Sequence, residues 1–134
     1  PGSKIVEYAH NFQIDVVPFV GPSSILLALM ASGMNGQNFA FTGYLPIDKS
    51  DRTRALRNLE SLTKKTGQTQ IFMETPYRNH QLFDTIIKVC SNNTKLCIAS
   101  DITLPSENIK TKTIAEWKQE KININKKPAI FLIN

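Results

Sequence analysis

The sequence predicts one α/β domain, a mixed sheet with helices on both faces. Apolar, β-branched runs alternate with segments whose apolar residues recur at helical spacing, and that alternation is typical of layered α/β proteins. The chain has 134 residues, of which 41% are hydrophobic, and this is enough for a single core of ordinary size. Two of the intervals between predicted strands are too short for a crossover helix, which favours a mixed sheet over a wholly parallel one.

The first third of the chain is predicted to alternate helix and strand. Ser3 is a suitable N-cap for a first helix. The apolar, β-branched run over residues 14–20 is interrupted by Pro18, so it predicts a short strand that either ends near Val17 or runs along a sheet edge. Residues 25–32 predict a helix so apolar that it should be buried on most sides, and the glycine that follows should end it. Residues 39–45 predict the next strand.

The alternation continues to the end of the chain. The remaining predicted elements are a helix capped by Ser50 or Asp51, a strand over 69–73, a helix from Pro76 to about Cys90, a strand over 95–100, an irregular polar loop over 100–108, a short helix over 113–119 and a last strand over 129–133.

Charge is unevenly distributed along the chain. The protein has 16 basic and 11 acidic residues, and its net charge is +5. Residues 1–48 contain one lysine and three acidic residues, so the basic excess lies in residues 49–134. Such an excess permits a polyanionic partner such as RNA, and it is equally compatible with a solvated surface. Arg52, Arg54 and Arg57 share a predicted helix and, with Arg78, are candidate RNA contacts.

Several function classes lack their sequence signatures. Cys90 and Cys97 are too few for a disulfide scaffold and match no metal motif, so we expect buried free thiols in a reducing compartment and no metal. The longest apolar run has seven residues, far below the roughly 20 of a membrane span, so no membrane association is expected. No motif specifies a catalytic nucleophile.

Candidate binding residues gather where predicted strands end, because ligands of open α/β sheets bind there. Gly21 allows close approach of a ligand, and Ser23 and Ser24 begin a helix whose N–H groups favour an anion. The alternative there is an ordinary turn with a serine cap. Glu74 and Arg78 are the ionisable residues at the next junction and are candidate ligand contacts. The alternative, equally favoured, is that Glu74 stabilises the helix N-terminus and Arg78 is an ordinary surface residue.

Two further junctions lie later in the chain. The polar segment that begins at Ser100 and includes Glu107 is a loop that could cover a site or simply connect two elements. At the other junction, Pro128 and Ala129 precede the last strand and would let another group approach its start closely.

Five short motifs follow one another in an order typical of one enzyme superfamily. They are Pro1-Gly2, the run VVPFVGPSS over 16–24, the pair ASGM over 31–34 and FAFTGYLP over 39–46, the run IFMETPYR over 71–78, and Ile102-Thr103 followed by Glu107. The set resembles the tetrapyrrole methylase superfamily of S-adenosylmethionine (SAM)-dependent methyltransferases. Within it, the motifs are most similar to the branch of ribosomal RNA small-subunit methyltransferase I.

This resemblance implies a fold, an activity and partners. Residues 1–134 would form the C-terminal domain of a two-domain enzyme whose N-terminal half is absent from this chain. The implied reaction is 2′-O-methylation of a cytidine ribose in 16S rRNA, by a cytoplasmic homodimer. This chain alone would be inactive, because half of the cleft is missing. The cofactor would be SAM, lined by Gly21, Ser23, Ser24, Glu74, Ile102, Thr103, Pro128 and Ala129.

Three questions stay open at this level. Glu74 and Glu107 are candidate bases for the ribose proton, and the missing half could supply the base instead. Pro128-Ala129 is similar to the corresponding pair of tetrapyrrole-methylating members, so C-methylation of a corrin or porphyrin is the alternative reaction. A domain that only binds or dimerises is the alternative of another class.

Overall fold

The computed structural model describes residues 2–134, so Pro1 of the first motif lies outside the described residues. Its elements are α1 (Ser3–Asn11), α2 (Ser24–Ser32), β1 (Phe39–Tyr44), α3 (Lys49–Thr66), β2 (Thr69–Met73), a 3-10 turn (Pro76–Arg78), α4 (Asn79–Val89), β3 (Lys95–Ser100), β4 (Asn108–Thr113), α5 (Ile114–Trp117) and β5 (Ala129–Ile133). The predicted α/β class is confirmed.

The five strands form one mixed sheet in the order β1-β2-β5-β3-β4. β1 and β2 are parallel, and the other neighbouring pairs are antiparallel. β1, β2 and β3 therefore run in one direction. Their carboxyl ends meet the starts of β5 and β4 at one end of the sheet, where Met73 lies opposite Ile130 and Ser100 lies between Ala129 and Asn108.

One face of the sheet carries the larger core, beneath α3, α4 and α5. Phe72 and Phe131 lie on neighbouring strands, and their stacked ring centroids are 6.2 Å apart. The indole Nε1 of Trp117 donates to the Leu96 carbonyl at 2.8 Å. This bond satisfies the buried indole and fixes the short helix α5 to β3.

A buried glutamate ties α3 to the loop before β3. Glu60 accepts a hydrogen bond of 2.7 Å from the Ser91 N–H and another from the Thr94 hydroxyl, and Lys64 lies 3.2 Å from its Oε1. Burial on its own would raise the pKa of Glu60, but these hydrogen bonds and the Lys64 charge outweigh it, so the pKa is lowered. The carboxylate is therefore ionised in the folded protein at neutral pH.

The other face of the sheet is covered by α2. Ala28 and Leu29 pack on the side chains of β2, β3 and β5. The hydroxyl of Thr111 on β4 donates to the Ser32 carbonyl at 2.7 Å and so holds the end of α2 to the sheet. Both cysteines are buried free thiols, as predicted. Burial raises the pKa of Cys90 to about 12.

The prediction that α2 is buried on most sides is wrong. Only one side of the helix meets the sheet, and Leu26 and Met30 are 49% and 80% exposed. An apolar helix covers a sheet with one stripe, so its remaining apolar side chains are left without a partner in this chain.

The strand predicted over residues 14–17 is also wrong. These residues have no regular secondary structure, and Val16, Val17 and their neighbours are exposed. A β-branched run forms a strand only where another strand supplies hydrogen bonds, and none pairs with this run in the described chain. The whole segment from α1 to α2 projects apolar side chains into solvent.

Two details of the second half differ from expectation. β4 falls partly within and directly after the predicted polar loop, because its sequence NIKTKT lacks the apolar alternation of a strand. It is an edge strand with one neighbour, and an edge tolerates lysines and threonines. The N-cap of α3 is Asp48, whose Oδ1 accepts from the N–H groups of Ser50 and Asp51 at 2.8 and 2.9 Å.

Candidate functional site

A cavity of about 250 Å³ opens at the carboxyl ends of the parallel strands. We call it the strand-end cavity. It is lined by Ser24, Tyr44, Met73, Glu74, Pro76, Ala99, Ile102, Pro128, Ala129 and Ile130. The lining comes from the start of α2, the ends of β1, β2 and β3, and the start of β5, so the topology of the sheet creates the cavity.

Glu74 is the charged residue of this lining, and its side chain is almost fully buried. Its Oε1 accepts from the Thr75 N–H at 2.6 Å and from the Arg78 guanidinium at 2.9 Å. Burial on its own would raise the pKa of Glu74, but these two donors outweigh burial and lower it. The cavity wall therefore carries an ionised carboxylate that also orders the turn between β2 and α4.

The loop after β3 enters the site with unusual backbone geometry. Asp101 and Thr103 both adopt left-handed φ angles, 52° and 70°. Glu107 accepts from the Thr103 N–H at 2.7 Å, which holds this turn and leaves Ile102 against the cavity. Left-handed backbone at residues other than glycine costs free energy and tends to cluster at functional sites.

A third wall is formed by residues 124–128, here called the wall segment. Asn79 is fully buried, and its Nδ2 donates to the carbonyls of Ile124 and Lys127 at 3.1 and 2.7 Å. The ammonium of Lys127 lies 2.9 Å from Asp101 Oδ2. These contacts tie the segment that leads into Pro128 to the start of α4 and, through Asp101, to the end of β3.

The predicted cofactor residues divide into two groups. Ser24, Glu74, Ile102, Pro128 and Ala129 line the strand-end cavity. The structure leaves Gly21, Ser23 and Thr103 outside this lining, although each is next to or within a few residues of it in the chain. Ser23 stands at the N-cap position of α2 without a side-chain capping bond.

Several apolar residues that line the strand-end cavity were not among the site residues predicted from the sequence. Met73, Ala99 and Ile130 share one face of the sheet, and their positions at strand ends were the available signal. Asn79 was missed as well, because a buried amide inside a helix has no sequence signature. Its Oδ1 has no hydrogen-bond partner within the described chain.

The four candidate RNA contacts occupy different environments. Arg52 is only 6% exposed, and its guanidinium donates to the Thr85 hydroxyl at 3.3 Å and the Ile47 carbonyl at 3.1 Å. Its inclusion among surface contacts is therefore corrected: this arginine holds α3 to α4. Arg54 is exposed and pairs with Asp51 at 2.8 Å. Arg57 is exposed, and Arg78 is engaged with Glu74.

Two features are absent from residues 2–134. None of the helices there combines the length and the apolar character needed to cross a bilayer. That part of the chain also contains no group of three or more His, Cys, Asp or Glu side chains placed to hold a metal ion.

The chemistry of the strand-end cavity suits a ligand with apolar and hydrogen-bond-donating parts. Its walls are largely apolar, and its buried carboxylate is ionised. Backbone groups at the strand ends supply further hydrogen-bonding positions. The volume of about 250 Å³ lies below the roughly 300–1,000 Å³ of pockets that enclose a whole small molecule, so these walls would surround only part of one.

Comparison with known proteins supplies relatives over most of the chain. No protein-family model matches it. It is 32% identical over 123 residues to ribosomal RNA small subunit methyltransferase I of Buchnera aphidicola subsp. Acyrthosiphon pisum, which covers 90% of this chain and 42% of that protein. The protein of that name from Mesorhizobium japonicum is 35% identical over 114 residues, covering 85% and 37%. The chain thus spans less than half the length of these curated relatives.

Solved structures share the fold at low sequence identity. The methyltransferase CobJ superposes with a TM-score of 0.58 at 14% identity, over 97% of this chain and 55% of that one. The cobalamin biosynthetic enzyme cobalt precorrin-4 methyltransferase, CbiF, gives 0.54 at 14% identity, over 99% and 57%. These comparisons confirm the resemblance of the motifs: the chain is homologous to the ribosomal RNA small subunit methyltransferase I proteins and shares the fold of a little over half of CobJ and CbiF.

Proposed function

We propose that the complete protein transfers a methyl group from SAM to the ribose 2′-oxygen of a cytidine in 16S rRNA. The observation that carries the proposal is the strand-end cavity, whose apolar walls and buried carboxylate lie in a chain homologous to rRNA small-subunit methyltransferases. With ribosomal RNA as substrate, the protein would act in the cytoplasm.

The strand-end cavity fits part of SAM. Met73, Ala99 and Ile130 offer an apolar surface for the adenine or the methionine stem, and Ser24, Pro128 and Ala129 border it. Glu74 faces the same space as an ionised carboxylate that Arg78 already pairs, so it offers the ligand a charged hydrogen-bond acceptor and not a net negative charge. When bound, SAM supplies an activated methyl group on its sulfonium. This chain's residues have to hold and orient it and exclude water.

Neither glutamate is well placed to be the base that removes the ribose proton. The lowered pKa of Glu74 makes its carboxylate a weak proton acceptor. The Glu107 carboxylate is hydrogen-bonded to the loop that carries Ile102. We therefore assign both glutamates a positioning role.

We also propose that a second domain and a second copy complete the enzyme. The strand-end cavity surrounds only part of a SAM molecule, so the remaining walls would come from an N-terminal half, and this chain alone would be inactive. Residues 2–47 expose many large apolar side chains, among them Phe12, Phe19 and Met30. An apolar surface of this extent is typical of an interface, and a homodimer is the occupant we propose.

Two other functions fit particular observations. C-methylation of a corrin or porphyrin is favoured by the fold shared with CobJ and CbiF and by the Pro128-Ala129 pair. A domain that only binds or dimerises is favoured by the exposed apolar side chains of α1 and α2.

Labelled SAM separates these functions. The complete protein would be incubated with radiolabelled SAM and either small ribosomal subunits that lack the modification or a precorrin or uroporphyrin. Label in a cytidine ribose of 16S rRNA is the expected result. Label in the macrocycle alone would contradict RNA methylation and support C-methylation of a tetrapyrrole. No label in either substrate, together with no calorimetric binding of S-adenosylhomocysteine, would support a domain that only binds or dimerises.

A further inference from the structure

A second cavity, of about 240 Å³, lies at the same end of the sheet but on the opposite face. We call it the basic trough. Its floor includes Ile98 and Trp117, which belong to the core beneath α3, α4 and α5. The strand-end cavity instead lies against Ala99 and Ile130, on the face that α2 covers. The two cavities are therefore distinct.

Three lysines line the basic trough: Lys110, Lys121 and Lys127. Strand register explains the position of Lys110. It lies opposite Ile98 in the β3–β4 pair, two residues before Lys112. Alternate residues of a strand share a face, and the Lys112 ammonium lies 5.8 Å from the centroid of the Trp117 ring. Lys110 therefore faces the α5 side of the sheet, where β4 is an edge with an open flank.

The carboxylates at the trough are already paired. Glu120 lines the trough and forms an ion pair with Lys112. Asp101 pairs with Lys127, and this hydrogen bond and charge lower the pKa of its carboxyl. Among residues 2–134, no carboxylate lies within 4.0 Å of the ammonium of Lys110 or Lys121. The trough thus presents two uncompensated positive charges.

The two cavities differ in charge. At the strand-end cavity the Glu74 carboxylate is paired with Arg78, whereas the basic trough presents two ammonium groups without a paired carboxylate. The Asp101–Lys127 ion pair stands between them, since Lys127 lines the trough and the next residue, Pro128, lines the strand-end cavity. A polyanionic substrate would therefore meet positive charge at the trough, next to the strand-end cavity.

We propose that the basic trough binds a phosphate group, and that this is a backbone phosphate of the RNA substrate. The RNA part of this inference rests on the function proposed above. An ammonium is a compact charge with three donors, well suited to phosphate oxygens. The volume of the trough, about 240 Å³, is ample for a phosphate group.

Salt-dependent RNA binding by the complete protein tests the proposal. The variant Lys110→Gln/Lys121→Gln would be compared with Lys65→Gln/Lys95→Gln, which removes the same charge from exposed lysines at the opposite end of the sheet. Each lost phosphate contact lowers the slope of log K against log salt by about 0.7 for a single strand. Because both lysines face one phosphate, we expect the slope to fall by about 0.7 and the affinity by about fivefold at 0.1 M salt in the trough variant alone.

Equal losses of RNA affinity and of salt slope in both variants would overturn the proposed RNA contact, because the lysines would then act only through net charge. All four side chains are exposed, so neither variant should unfold the protein.

A second measurement separates RNA from a free phosphate as the source of the ligand. Sodium phosphate would be titrated into the ¹⁵N-labelled complete protein. Saturable shifts of the amides of 106–110 and 120–124 in the wild type, and not in the trough variant, support a phosphate site. If they occur while RNA binding of the trough variant matches the control, the ligand is a free phosphate. No shifts together with matched RNA binding would overturn the proposal.

These outcomes remain distinguishable from those of the proposed function. A wild-type protein that binds no RNA would contradict the methylation proposal, whereas the phosphate titration would still decide whether the trough is an anion site.

Discussion

Asn79→Ala should loosen the wall of the strand-end cavity without touching its lining. The Asn79 amide is fully buried, and its two N–H bonds hold the carbonyls of Ile124 and Lys127. Alanine removes both donors. The wall segment would then depend on the Asp101–Lys127 ion pair and on two backbone bonds, from the Lys126 N–H to the Pro76 carbonyl at 3.2 Å and from the Asp101 N–H to the Pro128 carbonyl at 3.0 Å.

The expected cost follows from these contacts. Ile124 is buried, and its carbonyl would keep only a long 3.5 Å bond from the Lys127 N–H, so loss of the Asn79 donor costs about 1–3 kcal/mol, whereas the partly exposed Lys127 carbonyl can recover water for about 0.5–1 kcal/mol. The variant also removes the unpartnered Asn79 Oδ1, which returns about 1 kcal/mol. The net loss in unfolding free energy is about 2 kcal/mol. Affinity for S-adenosylhomocysteine should fall by less than about tenfold, because the wall segment loosens while the Asp101 N–H still holds the Pro128 carbonyl.

Urea denaturation and calorimetric titration of the complete protein measure the two effects. Asn125→Ala, at an exposed position of the same segment, is the matched control and should change stability by less than about 0.5 kcal/mol. Asn79→Asp should lower the unfolding free energy more than Asn79→Ala does, because it places a carboxylate oxygen against two carbonyl oxygens. The reasoning would be refuted if Asn79→Ala were as stable as the control, or if Asn79→Asp were more stable than Asn79→Ala.

Four other substitutions test separate parts of the structure. Glu74→Gln should weaken S-adenosylhomocysteine binding about tenfold and leave the shape of the pH–rate profile unchanged; loss of its acidic limb would instead identify a base. Glu60→Gln should cost about 1–3 kcal/mol at neutral pH. Because the folded pKa of Glu60 is lowered, this difference should persist above pH 4.5 and vanish as pH falls through the folded pKa. Arg52→Gln should reduce unfolding free energy by about 1–3 kcal/mol, whereas Arg57→Gln should change it by less than about 0.5 kcal/mol. Met30→Ser should shift sedimentation of the complete protein towards a monomer, whereas an unchanged sedimentation coefficient would remove α2 from the interface.

The central strands could be predicted from the sequence because they are buried on both faces. Strands 69–73, 95–100 and 129–133 are confirmed at the predicted residues, and each is a nearly continuous run of buried side chains. Such runs need no information about neighbours. The edge strand β4 and the exposed run over 14–17 could not be predicted, because the presence or absence of a partner strand decides their conformation.

The candidate site was predictable to the extent that strand ends and motifs locate it. Glu74, Ile102 and Pro128 line the strand-end cavity because β2, β3 and β5 meet at one end of the sheet. Asn79 and Lys127 fix that geometry through contacts with residues more than 20 positions away in the chain. Sequence spacing holds no signal for such contacts, so these positioning residues emerge only from the folded structure.

The proposed RNA binding and the proposed assembly would use different parts of the surface. Residues 2–47 hold one lysine, Lys4, and expose large apolar side chains such as Phe19 and Met30. A surface of this kind gains free energy from an apolar partner and little from phosphate. The basic excess lies beyond residue 48, where Lys110 and Lys121 line the trough. Substitution of Met30 should therefore alter assembly and leave the salt slope of RNA binding unchanged, and substitution of the two lysines should do the reverse. A change in both properties with either variant would mean that assembly itself creates the RNA surface.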